Sequence, residues 1–162
     1  MLAVAVYDVV KALHVMAVVA AFGLPLAYPL LLSYAQQKHP RSMGAIHDTQ
    51  LWLNQRVTGT GTVLILLFGA YLATKEDLWS EAWVTIPLVI LIIIGGVGGA
   101  LINPAVRKLA EVASRDISRS DAPGDAVTLS DEYAEVYRRY IQYEILLGVL
   151  VLVAIFVMVV KP

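Results

Sequence analysis

The sequence predicts an all-α, polytopic membrane protein: a four-transmembrane-helix bundle, one domain over residues 1–162, with cytosolic extensions of helices 3 and 4. Three observations carry this. Hydrophobic residues make up 59% of the chain and charged residues only 15%, against about 45–50% and about 25% in soluble domains. The mean hydropathy is +0.72. Four apolar runs, about 4–34, 51–73, 82–102 and 140–160, each reach the roughly 20 residues that a helix needs to cross hydrocarbon.

The first run has no basic leader, carries Asp8 early and continues well past the length of a signal sequence, so it is expected to remain in the mature protein. Pro25 and Pro29 each remove a backbone donor and obstruct the preceding turn, which predicts a bend in the inner half of this helix. The second run is uncharged from Arg56 to Ala73. The third ends in "GGVGGA", where Gly95 and Gly99 form a small-xxx-small pair. Such a pair lets another backbone approach closely, either a partner helix or a second copy of the chain; the alternative is a close approach to a flat cofactor.

Beyond the third run lies the polar connection of about 105–139. Val106, Leu109, Ala110, Ala113 and Ile117 recur there at helical spacing, so the third helix is expected to continue into the cytosol. "SDAPGD" (residues 120–125) should break it, and "SDEYAEVYRRY" should restart a helix that feeds the fourth span. Lys and Arg concentrate in the first and third connections, which puts both termini outside in a bacterial cytoplasmic membrane. Trp79 and Trp83 then sit as anchors at the outer interface.

Several chemistries are excluded by composition. With no cysteine, disulfides and thiolate metal sites are out. A net charge of -1 argues against a nucleic-acid partner; the lipid bilayer is the partner that composition demands. No HExxH, P-loop or GxSxG pattern occurs.

Polar groups within hydrocarbon are costly, so each is a candidate site. Arg56 and Glu144 begin the uncharged stretches of two helices running in the same direction, which puts them at one level, as plausible ion-pair partners. His47, Asn54, Thr58 and Gly61 share one face of the second helix. Tyr133, Tyr137, Tyr140 and Glu144 form a stripe on the fourth, and Asn103 ends the third nearby. These groups suggest a polar pocket open to the cytosolic leaflet; alternatively, Arg56 snorkels to the interface and Glu144 satisfies it. His14 lies in the outer third, too far from His47 to share a metal with it. It suits a single axial iron ligand, with Met158 as a weak second ligand and Lys11 near a propionate, or else an interfacial residue bonded to another helix.

The stretches "KALHVMAVVAAFGLPLAYPLLLSY" and "LNQRVTGTGTVLILLFGAYL" carry a resemblance. They are similar to the start of small bacterial predicted integral membrane proteins with four spans, and more distantly to HemJ-type protoporphyrinogen oxidases and CopD-type copper-resistance membrane domains. The shared features are Leu13-His14, Gly23, Pro25, Pro29, Arg56 and Gly69, all in the first half of the chain. The resemblance implies haem b on His14, with Arg56 in the polar wall. The chain departs from the HemJ type in its long third connection.

The resulting expectation is a tetrapyrrole-associated redox protein. His14 is its metal ligand, and Lys11, Arg56, Asn54, Tyr140 and Glu144 line the cofactor site. The alternatives are a non-enzymatic accessory or assembly subunit docking through Gly95 and Gly99, and a small-solute or metal-ion permease.

Overall fold

The computed structural model describes residues 6–119 and 127–162. Among them, every regular element is helical. Four helices, α1 (Val6–Lys38), α2 (Pro40–Lys75), α3 (Ala82–Ser118) and α4 (Asp131–Val160), are long and apolar enough to cross a bilayer. The third helix continues past its apolar run to Ser118, as the spacing predicts, and α4 starts within "SDEYAEVYRRY". The predicted break at 120–125 lies outside the described residues. No more than 28% of the most apolar stretch of any helix is buried within the protein. Met16, Val19, Leu30, Leu67, Ile92 and Phe156 point outward, where hydrocarbon is their natural solvent.

α1 is helical through both prolines. Pro25 has no N–H to offer the Ala21 carbonyl one turn back, and in hydrocarbon no water replaces the donor. Thr58 of α2 supplies it: its hydroxyl donates to Ala21 O at 3.2 Å. Gly61, less than a turn further along α2, lets the two backbones come close at the same point. A Cβ there would lie 2.7 Å from Ala21 Cβ, so no larger residue fits without a shift.

Both middle helices contain a π turn. In α2 it spans Asn54–Thr58, and Gly59 N–H reaches back five residues to Asn54 O. In α3 it spans Gly98–Ile102, and Asn103 N–H reaches Gly98 O in the same way. Pro104 follows immediately, where its missing N–H and ring disfavour a regular turn.

At these turns α2 changes partner, and α3 gains one while keeping α4. Met43–Leu53 of α2 packs on Asn103–Ser118 of α3, whereas Gly59–Lys75 packs on α1; the Ala82–Val97 part of α3 packs on α4. Two apolar cores result. One, towards the hairpin formed by the ends of α3 and α4, contains Leu32, Met43, Val106, Leu109, Tyr133 and Tyr140. The other contains Ala17, Ala21, Phe22, Ile65, Ile94 and Val151.

A polar clasp closes the hairpin end beyond the apolar runs. Arg115 pairs with Glu132 at 2.9 Å, and Lys108 with the same carboxylate at 3.1 Å. Asp116 accepts from Ser130 N–H at 2.9 Å. Ser130 in turn caps α4 by accepting from Tyr133 N–H, and Asp131 and Glu132 complement the helix dipole in the first turn. At the opposite end Trp79 donates to Thr74 Oγ1, and Lys161 lies over the Trp83 ring at 4.5 Å.

Two predictions follow from these contacts. Thr58→Val should lower stability by about 1 kcal/mol, and the loss should shrink in a Pro25→Ala background, where Ala21 O regains its helical donor. A double-mutant cycle of detergent unfolding measures this, and an equal loss in both backgrounds would remove Thr58 from that role.

The second concerns Asp116. Burial pushes its carboxyl up, but the Ser130 hydroxyl and N–H, together with Arg115, outweigh that and hold it below its usual 3.8. A depressed pKa contributes stability that is complete above the unfolded value and fades as pH falls through the folded one. The stability gap between wild type and Asp116→Asn should therefore be full at neutral pH and close below about pH 4. Thermal unfolding across that range is the check.

Candidate functional site

Between the two cores lies a cavity of about 480 Å³. Its apolar walls come from Phe22, Leu26, Ile94, Leu147 and Val151, and its polar groups are Asn54, Gln55, Thr58, Thr62, Asn103 and Glu144. The π turns shape it directly, since Asn54, Thr58, Gly98, Gly99 and Ile102 all line it. Gln55, Gly59, Val63, Gly95 and Gly99 on its walls are exposed, and the apolar halves of α2 and α3 touch only sparingly. The cavity therefore opens sideways between these helices. Through Gln55, Gly99 and Asn103 it also adjoins a charged cleft of about 640 Å³ beside Arg107, Lys108, Glu111, Arg115 and Glu132.

Glu144 is the one charged side chain among the described residues lining the cavity. It is only 7% exposed. The Tyr140 hydroxyl, one turn earlier on α4, lies beside its carboxyl group. Tyr140 itself is fully buried and receives a hydrogen bond from Gln50 Nε2 of α2. Gln50 Oε1 lies 3.0 Å from His47 Nδ1, and His47 Nε2 lies 2.8 Å from Tyr133 Oη. The Tyr28 hydroxyl is buried without a hydrogen-bond partner.

The predicted site residues divide into three groups. Asn54, Thr58, Asn103 and Glu144 come together around the cavity, with Tyr140 behind Glu144. Arg56 does not join them. It is exposed, and among the described residues no ion pair links it to Glu144. The expectation counted depth alone, which does not give azimuth, and Arg56 stands within the π turn, where the extra residue alters it. Within the chain, among the described residues, Gly95 and Gly99 pack against no other helix backbone. A Cβ on Gly95 would meet only Thr62, at 3.9 Å, and one on Gly99 nothing within 4 Å; both glycines form cavity wall instead.

His14 belongs to the third group, in a separate chamber towards the Trp79 end. Phe22, Ile94 and Val151 line both chambers and so form the wall between them. His14 is 8% exposed, its Nδ1 has no hydrogen-bond partner, and Met158 lines the same chamber. An imidazole and a thioether are fitting donors for haem iron. The space is not. The chamber measures about 100 Å³, below the roughly 300 Å³ at which pockets begin to hold even drug-sized ligands. Gly69 presses against the ring, and a Cβ there would lie 3.1 Å from His14 Cε1. A macrocycle does not fit beside His14 in this arrangement, and Lys11 is exposed outside the chamber. Among the described residues no group of three or more His, Asp or Glu could hold a metal ion.

Gln50 is the functional side chain that sequence reasoning missed. Its signal was present: it stands three residues after His47 and four before Asn54, on the face those residues mark.

A family model described as predicted integral membrane protein (DUF2269) matches residues 8–162. No curated protein and no solved structure matches the chain, so the likeness to HemJ-type and CopD-type proteins finds no support there. The family match covers nearly the whole chain and agrees with its four apolar helices. The chain belongs to the DUF2269 family of predicted integral membrane proteins.

Proposed function

We propose that this membrane protein binds an amphiphilic organic cation in the cavity, with the Glu144 carboxylate as its counter-charge. The observation that carries this reading is the isolation of Glu144: it is the one charged group lining a cavity of about 480 Å³, a volume within the range of ordinary small-molecule sites. A carboxylate within a span marks a substrate or ion pathway by default. With no basic residue in the lining, the field of the cavity favours a positive guest.

The rest of the lining supports the same guest. The Asn54 and Asn103 amides add hydrogen-bonding capacity around the carboxylate. Phe22, Leu26 and Leu147 offer contact to an apolar body, and the glycines of α3 leave one wall flat. The sideways opening admits a molecule already dissolved in the bilayer. By the positive-inside rule the hairpin end is cytosolic, which places the cavity in the inner half of the membrane.

The tetrapyrrole reading rests on the donors at His14 and meets too little space there. The accessory-subunit reading rests on Gly95 and Gly99, which line the cavity and are exposed at its mouth.

Two outcomes test this assignment. The purified full-length protein should bind tetraphenylphosphonium saturably in equilibrium dialysis. Glu144→Gln should weaken binding more than tenfold, since truncating one member of a buried charge pair costs about 2–5 kcal/mol, whereas Arg56→Gln should leave it unchanged. Equal binding by wild type and Glu144→Gln would refute the role of the carboxylate. Protein purified with native lipids should show no Soret band before or after dithionite; a band abolished by His14→Ala would return a tetrapyrrole to His14.

A further inference from the structure

The chain Tyr133, His47, Gln50, Tyr140 and Glu144 links the hairpin core to the cavity, and two settings of its protons satisfy the same atomic positions. In one, Gln50 Oε1 accepts from His47 Nδ1–H at 3.0 Å and its amide N–H donates to Tyr140 Oη. The imidazole Nε2 is then an acceptor for the Tyr133 hydroxyl at 2.8 Å. The Tyr140 proton is left to point at Glu144. In the other, the amide is turned over: His47 carries its proton on Nε2, and the Tyr140 proton is drawn away from Glu144 into Gln50 Oε1.

Chemistry selects between them. His47 is fully buried and no carboxylate bonds it, so desolvation keeps it neutral with a single ring proton. At the far end a carboxylate can only accept, and a hydrogen bond to a charged acceptor is about twice as strong as a neutral one. Each bond in a chain also polarises the next. The whole chain is thereby driven to donate towards Glu144.

We propose that Gln50 is the positioning residue of the cavity: it aims the Tyr140 proton at the Glu144 carboxylate and couples that aim to the tautomer of His47. Gln50 touches neither the cavity nor Glu144 and acts through Tyr140 alone. Its amide has no readily exchanged proton to pass along, so the chain orients Glu144 and does not conduct protons to it. The groups that face the carboxylate are Tyr140 on its own helix, Tyr28 from α1, and the Asn54 and Asn103 amides around the cavity.

This inference rests on Glu144 as the ligand's counter-charge, yet its test uses no ligand. In the full-length protein labelled with ¹⁵N-histidine, His47 is told apart from His14 and His39 by single substitution. Its ring should carry the proton on Nδ1 in wild type, and that preference should be lost in Glu144→Gln. The Glu144 carboxylate stretch, isolated by infrared difference against Glu144→Gln, should shift in Tyr140→Phe and shift the same way in Gln50→Leu.

A His47 protonated on Nε2, or a carboxylate band that moves in Tyr140→Phe but not in Gln50→Leu, would overturn the proposal. If Gln50→Leu does not fold, the wild-type tautomer and its response to Glu144→Gln decide alone. Should both spectroscopic results hold while tetraphenylphosphonium fails to bind, the ligand assignment falls and the positioning role stands.

Discussion

The hydrogen bond from Thr58 to the Ala21 carbonyl settles a debt that Pro25 creates in α1. In water such a carbonyl would find a solvent donor. Within hydrocarbon it must find one on a neighbouring helix, and Thr58 and Gly61 meet α1 at Ala21, one with a hydroxyl and the other with no side chain at all. Because this junction fixes the second half of α2 to α1, the first half can pack elsewhere, and the π turn between them is where the two registers are reconciled.

α3 repeats the arrangement from a different cause. There, glycines and Pro104 surround the π turn, and beyond it the helix adds the first half of α2 to its contact with α4. Two helices whose packing changes at matching positions cannot also pack tightly on each other between the two cores. The unfilled space is the cavity, and the one carboxylate among the described residues on its wall lies beside a tyrosine that belongs to the hairpin core. The clasp of Asp116, Ser130 and Glu132 anchors the start of the same helix that carries Tyr133, Tyr140 and Glu144.

Much of this was legible in the sequence, because burial in a bilayer and helical periodicity are both strong signals. The four apolar runs, the continuation of α3 through Leu109 and Ala113, and the restart of α4 after Ser130 are plain from spacing alone. So was the meeting of Asn54, Thr58, Asn103 and Glu144, which needed the shared face of the second helix, the stripe on the fourth and depth along each. Arg56 was misplaced because depth does not give azimuth, and one π turn alters azimuth for every residue beyond it. Gly95 and Gly99 line the cavity and pack on no described helix of this chain, which their spacing does not reveal. Small residues mark a close approach by something, and nothing in their spacing distinguishes a helix from an open cavity. The size of the His14 chamber depends on how closely Gly69 seats against the ring, which no sequence pattern encodes.

The sideways opening between α2 and α3 has a consequence for selectivity. An occupant that enters by this opening would come from the lipid phase, so the concentration that Glu144 meets would be the one set by partitioning into the bilayer, not the one in bulk water. A solute that enters membranes readily is enriched before it reaches the protein, while a polar one of equal fit is depleted. For a guest of the kind proposed above, the bilayer would thus act as a first filter, and the carboxylate would discriminate only among the molecules that pass it.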